Sequence, residues 1–362
     1  MKPPRQSTRP ERRGPAPTYE ADVLEGLEPF ATDELRALAG PDLELERDQR
    51  PATLRFRYAG DPDRLLDLRT VVALSLVRSF PVPRPRGLLG HQHFTALVQM
   101  LEQARSLWAA GNFPVLRLNA AGAESAVMAR LRDELATQLG MPATTSKEGE
   151  GDLLLRLRPD NTGGWEALVR LSPFPLATRP WRVCNMPGAL NATVASAMMQ
   201  LVAPHPSDRL LNIACGSGTL LIEALMLGRL GTAIGCDTDP AALECAQANL
   251  GAVGMSDLVR LEPWDAGQLP LEDASVDLIC ADLPFGQLIG SHDRNQELYP
   301  RIIAEATRVA RTGARMVLIT HEIRLLEQSL GNYSRQWEQR PSIRVRTGGM
   351  APRIFLLRRR AG

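Results

Sequence analysis

An acidic residue, a proline and an aromatic ring stand together where one apolar stretch of the chain ends. Asp282, Leu283, Pro284 and Phe285 directly follow the apolar run Val276–Ala281, which is typical of a buried strand. Pro284 lacks a backbone N–H and disfavours the α region for Leu283, so nearby carbonyls are free to accept hydrogen bonds from outside the sheet. A carboxylate, a free carbonyl and an aromatic face suit a planar heteroaromatic group that carries an NH2. The alternative is a strand that merely ends at a proline turn with a capping aspartate.

A strand, a glycine turn and a helix start are indicated within Leu210–Glu223. Gly216 and Gly218 let the backbone pass close to a ligand, and the N-terminus of the following helix offers free N–H groups. A dinucleotide fingerprint would need a third small residue at position 221, where this chain has Leu221. The pattern argues against a pyrophosphate cofactor, although Gly-x-Gly alone is not specific.

Two more acidic residues follow predicted strands of the same region. Asp237 lies 21 residues after Gly216, at the spacing where an acid binds a ribose 2′-OH in this architecture. Asp265 follows the next strand and is suited to accept an adenine amine. Because the carboxyl ends of parallel strands meet at one edge of a sheet, we expect Asp237, Asp265 and Asp282 to form one adenosine site.

Composition limits the class of protein. The 362 residues exceed one comfortable core, so two or three domains are expected. A net charge of +1 argues against a uniformly basic nucleic-acid binder. The five cysteines are an odd number without a Cys-x-x-Cys pair, so neither a disulfide framework nor a zinc site is indicated, and no metal is expected. No apolar run is long enough for a membrane span and no signal peptide is indicated, so we expect a cytoplasmic protein.

The chain is predicted to contain five segments. Residues 1–18 are rich in proline and arginine, as in a disordered basic tail. Residues 19–84 indicate a small α+β unit of ferredoxin-like type, and 85–172 indicate two helices with further strands. Residues 173–188 form a proline-rich linker. Strands and helices alternate over 189–362, which predicts an α/β, mostly parallel, doubly wound sheet finished by an antiparallel hairpin.

The motifs of this last segment resemble those of class I S-adenosylmethionine-dependent methyltransferases that act on amino groups. Ala214–Thr219 resembles their first motif, Asp237 their second, Asp265 their third, and Asp282–Phe285 their Asp/Asn-Pro-Pro-Tyr-like fourth. Asn212 stands where the family usually has an aspartate.

More specifically, the chain resembles the THUMP-containing RNA guanine-N2 methyltransferases. Gly26–Glu28 resembles their opening signature, and Arg179–Arg182 with Gly188–Ala195 resembles the segment that leads into their catalytic domain. Gly348–Met350 resembles their C-terminal hairpin. The resemblance implies a Rossmann-like catalytic domain preceded by the ferredoxin-like unit and a THUMP RNA-binding domain at 85–172.

The resemblance also implies a set of site residues. The catalytic residues are Asp282, Leu283, Pro284 and Phe285. Residues that bind S-adenosylmethionine are Asn191, Thr193, Asn212, Ala214, Cys215, Gly216, Gly218, Asp237, Thr238, Asp265, Ala266 and Asp282. Residues that contact RNA are Arg179, Arg182 and Phe285.

The expected activity is methylation of a guanosine N2 in tRNA by a monomeric enzyme. The nearest alternative substrate is 23S rRNA. The fourth motif would also serve DNA adenine or protein glutamine methylation, but the THUMP-like half favours RNA. From a different class, a non-catalytic RNA-binding protein that kept a cofactor pocket stays open at this point.

Overall fold

The computed structural model describes residues 16–361 except 48–49, 110, 145–150, 229 and 285–291. The chain divides into two compact units. The first unit comprises the residues up to Ala21, Leu35–Asp67 and Ala73–Phe174. The second comprises Asp22–Glu34, Leu68–Val72 and the residues from Pro175 onward. Two short N-terminal segments therefore belong to the same unit as the C-terminal half of the chain.

The N-terminal half contains eight strands of one mixed sheet, which runs in the order β2-β3-β1-β4-β8-β7-β5-β6. These strands are β1 (Thr18–Val23), β2 (Leu43–Leu45), β3 (Thr53–Tyr58), β4 (Val71–Phe80), β5 (Leu116–Ala120), β6 (Ala143–Thr144), β7 (Leu153–Pro159) and β8 (Trp165–Arg170). The helices of this half are α1 (Glu28–Ala39), α2 (His91–Ser106) and α3 (Ala126–Leu139). Three short 3-10 helices lie at Gly40–Asp42, Pro62–Asp67 and Pro85–Leu89.

The C-terminal half alternates helices with strands. The helices are α4 (Ala192–Val202), α5 (Thr219–Leu227), α6 (Pro240–Ala252), α7 (His292–Val309) and α8 (Ile323–Gly331). The strands are β9 (Arg209–Ile213), β10 (Thr232–Cys236), β11 (Val259–Glu262), β12 (Val276–Asp282), β13 (Ala310–Thr320), β14 (Trp337–Gln339), β15 (Ile343–Arg344) and β16 (Arg353–Arg359). A 3-10 turn at Ser256–Leu258 precedes β11.

These strands form a sheet in the order β11-β10-β9-β12-β13-β16-β14. The first five are parallel to one another, whereas β16 runs antiparallel to β13, β14 and β15. The predicted parallel sheet with a terminal antiparallel hairpin is confirmed. The chain order reverses between β9 and β12, and sheets of this kind bind their ligands at the carboxyl ends of the strands beside such a reversal.

Alternate side chains of β12 enter two different cores. Leu278 and Cys280 belong to the core that contains residues of α4, α5 and α6. Ile279 and Ala281 belong to the core that contains residues of α7 and α8. Because successive strand side chains point to opposite faces, a strand buried on both faces must be apolar throughout. The strand that ends at Asp282 is therefore fixed from both sides.

Several elements differ from their predicted form. The helix α4 was not predicted, because most of its side chains are buried and a helix that is apolar all round gives no amphipathic signal. Helix α7 begins at His292 rather than at Leu298, and β14 was not predicted. The predicted domain borders at 84/85 and at 173–188 stay predictions.

One expectation about the cysteines is wrong. Cys184 and Cys245 form a disulfide, with their Cα atoms 5.4 Å apart, whereas Cys215, Cys236 and Cys280 are free and buried. The two partners are separated by 61 residues in sequence, so no local spacing of cysteines indicates that they are paired. The side chain of Asn249 supports the same junction, because it both accepts from the Cys184 N–H and donates to the Cys184 carbonyl.

Two features are absent from the described part of the chain. None of its helices is long and apolar enough to cross a membrane. None of its histidine, cysteine, aspartate and glutamate side chains gather in groups of three that would hold a metal ion.

A buried carboxylate joins the N-terminal segments of the second unit to α5. Glu223 has no exposed surface, and its two oxygens accept hydrogen bonds from Arg69 and Arg179 at 2.8–2.9 Å. Arg179 also donates to the backbone carbonyl of Arg69 at 2.6 Å. Glu34 in α1 accepts from the backbone N–H groups of Arg69 and Thr70. These bonds hold four separate chain segments together: α1, Arg69–Thr70, the segment of Arg179, and α5.

We expect Glu223→Gln to lower the free energy of unfolding by about 3 kcal/mol, because it leaves buried guanidinium groups without their counter-charge. Urea denaturation followed by circular dichroism measures this change. Glu134→Gln, which breaks the surface pair with Arg130, is the matched control and should cost less than about 0.5 kcal/mol. Equal losses in the two variants would contradict a stabilising role for the Glu223 cluster.

Candidate active site

The turn after β9 requires small residues. Ala214, Gly216 and Gly218 have positive φ angles of 48°, 51° and 80°, a region that glycine adopts most easily. A Cβ on Gly218 would lie 3.2 Å from the Ala246 side chain, whereas a Cβ on Gly216 would meet no protein atom within 4 Å. The turn thus packs tightly against α6 at Gly218 and borders open space at Gly216, just before α5 begins.

The two acids of the predicted adenosine site are held by backbone N–H groups. Asp237 accepts from Gly216 at 2.9 Å with one carboxylate oxygen and from Asp239 at 3.1 Å with the other. Asp265 accepts from the Gly267 N–H at 2.8 Å and from Arg301 at 2.8 Å. The hydrogen bond from Gly267 and the nearby Arg301 lower the pKa of Asp265, which keeps its side chain an ionised acceptor.

A cavity of about 370 Å³ brings most of the predicted cofactor residues together. The predicted residues on its wall are Ala214, Cys215, Gly216, Asp237, Thr238, Asp265, Ala266, Asp282, Leu283 and Pro284. Trp264, Leu298 and Ile302 add an apolar part to this wall. Acceptors beside an apolar surface suit a ligand with a planar ring and hydroxyl or amine donors.

Cys215 lines this cavity without being a nucleophile. The thiol is buried, and burial together with the nearby Asp237 carboxylate raises its pKa far above the ordinary value. A thiol in this state stays protonated and unreactive. Cys215 therefore contributes to the cavity as a small, buried side chain.

Four predicted cofactor residues do not lie on the wall of this cavity, and for each the structure gives a physical reason. Asn212 is fully buried between strands, where its amide N–H group donates to the carbonyls of Ile213 and Cys280. Asn191 caps α4 by accepting from Thr193, and the buried Thr193 hydroxyl donates to the same Asn191 oxygen. Gly218 makes the turn possible by its contact with α6 rather than by bordering the cavity.

The backbone groups of Leu283 and Pro284, which follow Asp282, make a defined set of hydrogen bonds. Leu283 donates its N–H to the Ile319 carbonyl at 3.0 Å. The Pro284 carbonyl accepts from Asn295 at 2.8 Å and from the Tyr299 hydroxyl at 2.7 Å. Since these bonds occupy both lone pairs of the Pro284 carbonyl, that group is no longer available to a ligand. None of the backbone hydrogen bonds among the described residues goes to the Leu283 carbonyl, which follows Asp282 directly in the chain.

Tyr299 is itself oriented by a short chain of hydrogen bonds. The Glu322 N–H donates to the Thr320 hydroxyl at 2.9 Å, and that hydroxyl lies 2.7 Å from the Tyr299 hydroxyl. Because the Pro284 carbonyl can only accept, the Tyr299 proton points to Pro284 and the Thr320 proton points to Tyr299. The end of β13 thereby helps to fix the position of Pro284, which follows β12.

Asp282 is half-buried at the cavity wall. None of the described residues forms a salt bridge with it, and burial raises its pKa to about 7. Burial disfavours the charged form of an acid when no cation compensates. The carboxyl group is therefore close to half-ionised at neutral pH, and perturbed acids in clefts are typical of active sites.

The three residues predicted to contact RNA are Arg179, Arg182 and Phe285. Arg179 is only 6% exposed and is engaged by Glu223 and by backbone carbonyls, so the prediction that it contacts RNA is wrong. Arg182 donates to the Leu190 carbonyl and the Thr219 hydroxyl and lies over the Trp181 ring. Its bonds hold the segment before α4 against the start of α5. Phe285, predicted as catalytic and RNA-binding, lies outside the described residues.

Asn295 and Tyr299 are the main site residues that sequence analysis missed. Both are almost fully buried, and one helical turn separates them. With Ile302 and Ala306 they continue an i, i+4, i+7 pattern back toward His292. This periodicity could have identified Asn295 as a residue of the buried helix face. The predicted helix start at Leu298 excluded it.

Comparison with known proteins shows what this chain is similar to. Residues 179–353 match the RMKL-like methyltransferase domain (UPF0020). The bovine (Bos taurus) tRNA (guanine(6)-N(2))-methyltransferase THUMP3 is 32% identical over 185 residues, which are 48% of this chain and 37% of that protein. The chain thus spans little more than a third of the length of that relative. The tRNA (guanine(6)-N2)-methyltransferase of Thermus thermophilus is 29% identical over 343 residues, 93% of this chain and 98% of that protein.

Solved structures agree with the sequence matches. The crystal structure of TrmN from Thermus thermophilus superposes with a TM-score of 0.72 at 26% identity, and the match covers 95% of this chain and 99% of that one. SMU.472, a putative methyltransferase complexed with SAH, has the same fold, with a TM-score of 0.67 at 15% identity over 97% of this chain and 99% of that one. The resemblance drawn from the motifs is confirmed: residues 179–353 are similar to a methyltransferase domain, and nearly the whole chain is similar to a tRNA guanine-N2 methyltransferase.

Proposed function

We propose that this protein methylates the exocyclic N2 of a guanosine in tRNA and uses S-adenosylmethionine as the methyl donor. The observation that carries the proposal is the pair of acceptors at the end of β12. The Asp282 carboxylate and the Leu283 carbonyl are adjacent, and both residues line the cavity that holds Asp237 and Asp265. The Thermus thermophilus relative, which matches nearly the whole chain, supports tRNA as the substrate.

The cavity fits S-adenosylmethionine by the chemistry of its donors and acceptors. Asp237 keeps lone pairs for the ribose hydroxyls after accepting two backbone N–H groups. Asp265 is suited to the adenine amine, and the apolar side chains of Trp264 and Ile302 line the same cavity. The open space beside Gly216 leaves room for the backbone to approach the ligand. When bound, S-adenosylmethionine supplies an electrophilic methyl group.

Asp282 and Leu283 act on the guanine amine. The lone pair of this nitrogen is delocalised into the ring, so the amine is a poor nucleophile. The Asp282 carboxylate and the Leu283 carbonyl each accept a hydrogen bond from one N–H of the amine, and these two bonds orient the nitrogen lone pair. The carboxylate then takes up the proton that the amine loses. Fixed orientation and electrostatic preorganisation supply most of the acceleration, and Phe285 is proposed to stack on the base once it is flipped out of the RNA.

The N-terminal half is proposed to bind the RNA. Residues 19–84 and 85–172 are assigned to the ferredoxin-like and THUMP-like domains. Residues 1–18 are assigned to a basic tail, of which 1–15 lie outside the described residues and Thr18 begins β1. The linker at 173–188 connects them to the catalytic domain. We further propose that the enzyme is a monomer, needs no metal and works in the cytoplasm, where its RNA substrate is processed.

A labelled-methyl assay tests the activity. Purified protein, labelled S-adenosylmethionine and either total tRNA or rRNA are incubated, and the RNA is then digested to nucleosides for mass spectrometry. We expect N2-methylguanosine from tRNA and background label in rRNA. Label in rRNA alone would show that the substrate is rRNA, the alternative to tRNA. Methyladenosine in the digest would contradict the assignment to guanine. No transfer to any RNA would favour a non-catalytic RNA-binding protein.

We expect the activity to depend on the ionisation of Asp282. Between about pH 6 and pH 8, kcat/KM should rise with an apparent pKa near 7, because the protonated carboxyl group has lost acceptor capacity. Asp282→Asn should lower kcat by about 100-fold or more and remove this pH dependence. Turnover close to that of the wild type would refute the role of Asp282.

Stability provides the control for this variant. The folded-state pKa of Asp282 is above the value of an unfolded chain, so the ionised carboxylate destabilises the fold, and this cost grows as pH rises from about 4 to 7. Allowing for its partial exposure, Asp282→Asn should gain about 1–2 kcal/mol at pH 8 and nothing at pH 4. An inactive variant that is at least as stable as the wild type at pH 8 has not simply unfolded.

Asp237→Ala should weaken S-adenosylmethionine binding by about 10-fold to 100-fold, because a charged acceptor for the ribose is lost. Isothermal titration calorimetry measures the affinity. Asp257→Ala removes an exposed aspartate that does not line the cavity and should leave the affinity unchanged. Undiminished binding by Asp237→Ala would show that the ribose site is elsewhere.

A further inference from the structure

A second cavity, of about 580 Å³, also reaches Asp282. Its wall contains residues of the segment from Ala177 to Ala192, residues at the end of β13, and the turn from Thr347 to Pro352. Asp282 and the short stretch Met186–Leu190 line both this cavity and the cofactor cavity. The catalytic carboxylate therefore lies where the two cavities meet.

Methyl transfer to an amine requires such an arrangement. The nitrogen attacks the methyl carbon from the side opposite the leaving sulfur, so donor and acceptor must reach the reacting centre along different paths. Alignment of the two reactants accounts for much of the catalytic advantage in reactions of this kind. Two cavities that share only Asp282 and one wall segment provide separate places for the two reactants.

We propose that the second cavity binds the flipped guanine base and that the turn Thr347–Met350 forms its outer wall. This inference rests on the proposed function and deepens it, since it names the site of the RNA base. Its volume lies within the usual range of ligand pockets, about 300–1,000 Å³. The base amine reaches Asp282 from this side, away from Asp237 and Asp265.

The turn is built as a rigid wall. Thr347 and Met350 exchange two backbone hydrogen bonds of 3.0 and 2.9 Å, and Gly348 and Gly349 have φ angles of 56° and 79°. Two consecutive residues with positive φ make the tight hairpin turn that glycine favours. The Val345 N–H donates to the Pro352 carbonyl at 3.0 Å, which extends the pairing beyond the turn.

The N-terminal segment of the second unit anchors this hairpin. The Glu25 carbonyl accepts from the Arg346 N–H at 3.0 Å, and the two side chains form a salt bridge of 3.1 Å. Gly26 has a φ of 97°, and a Cβ at this position would lie 2.0 Å from the Arg344 carbonyl oxygen. Any other residue at position 26 would push the hairpin outward. The Gly26–Glu28 motif thus sets the position of the cavity wall, although it lies far from the catalytic residues in sequence.

Met350→Trp tests the cavity by filling it. Met350 lines the second cavity and not the first, so we expect kcat/KM for tRNA to fall at least 10-fold while calorimetry shows S-adenosylmethionine affinity within twofold of the wild type. Met226→Trp is the matched control, because Met226 is 36% exposed on α5 and lines neither cavity. Wild-type kcat/KM in a folded Met350→Trp protein would overturn the proposal.

Cross-linking of the unaltered protein gives a second test that does not depend on the folding of a variant. A tRNA transcript that contains 6-thioguanosine is irradiated on the enzyme, and the cross-linked tryptic peptides are identified by mass spectrometry. Trypsin releases the wall residues outside β12 in four peptides, which are Leu171–Arg182, Val183–Arg209, Met316–Arg324 and Thr347–Arg353. Cross-links in these peptides support the proposal. Cross-links found only elsewhere, or none, in a tRNA that is methylated would overturn it.

The same experiment separates this proposal from the proposed function. If these peptides cross-link but no RNA is methylated, the cavity is the base site of a non-catalytic protein and the proposed activity is wrong. If tRNA is methylated and the cross-links lie elsewhere, the activity stands and the position of the base is wrong.

Discussion

The geometry of the active site depends on the carbonyl of Pro284. The sheet holds the chain as far as Leu283, whose N–H donates to the Ile319 carbonyl. Pro284 has no N–H with which to continue this ladder, so the chain beyond Leu283 needs another restraint. Asn295 and Tyr299 supply that restraint by donating to the Pro284 carbonyl. Because both side chains are buried on one helix, the packing of α7 directly determines where the two acceptors point. Misplacement by about 1 Å costs roughly 100-fold in rate in such sites.

Sequence patterns predicted those parts of the site that are local. The glycine turn and the acid at 237 follow strands and can be found by spacing, because the parallel sheet brings strand ends together without help from other residues. Arg179 and the Cys184–Cys245 disulfide could not be predicted in this way. Their partners are distant in sequence. Nothing in the sequence around Arg179 indicates that it pairs with the buried Glu223.

The structure also assigns a physical role to a motif that sequence analysis could only recognise by resemblance. Gly26 belongs to the same compact unit as the methyltransferase domain, and its missing side chain allows the Arg344 carbonyl to approach. Glu223 similarly joins Arg69 to α5, the helix that follows the glycine turn. The predicted domain 19–84 includes the segments 22–34 and 68–72, which in the structure belong to the same compact unit as the C-terminal half of the chain; sequence order alone gives no sign of this grouping.

The ionisation of Asp282 depends on how much of its carboxyl group is exposed to solvent. A carboxylate fully solvated at this position would ionise readily, but water would compete for the amine protons. A carboxylate buried without any outlet would stay protonated at neutral pH and accept poorly. Asp282 lies between these limits, with a pKa of about 7 and an open side toward the cavity. A group that is half-ionised near neutral pH can both accept a hydrogen bond from an amine and take up its proton, which a carboxylate with an ordinary pKa does less well. Among the described residues no cation forms a salt bridge with Asp282; such a salt bridge would favour the charged form and lower this pKa.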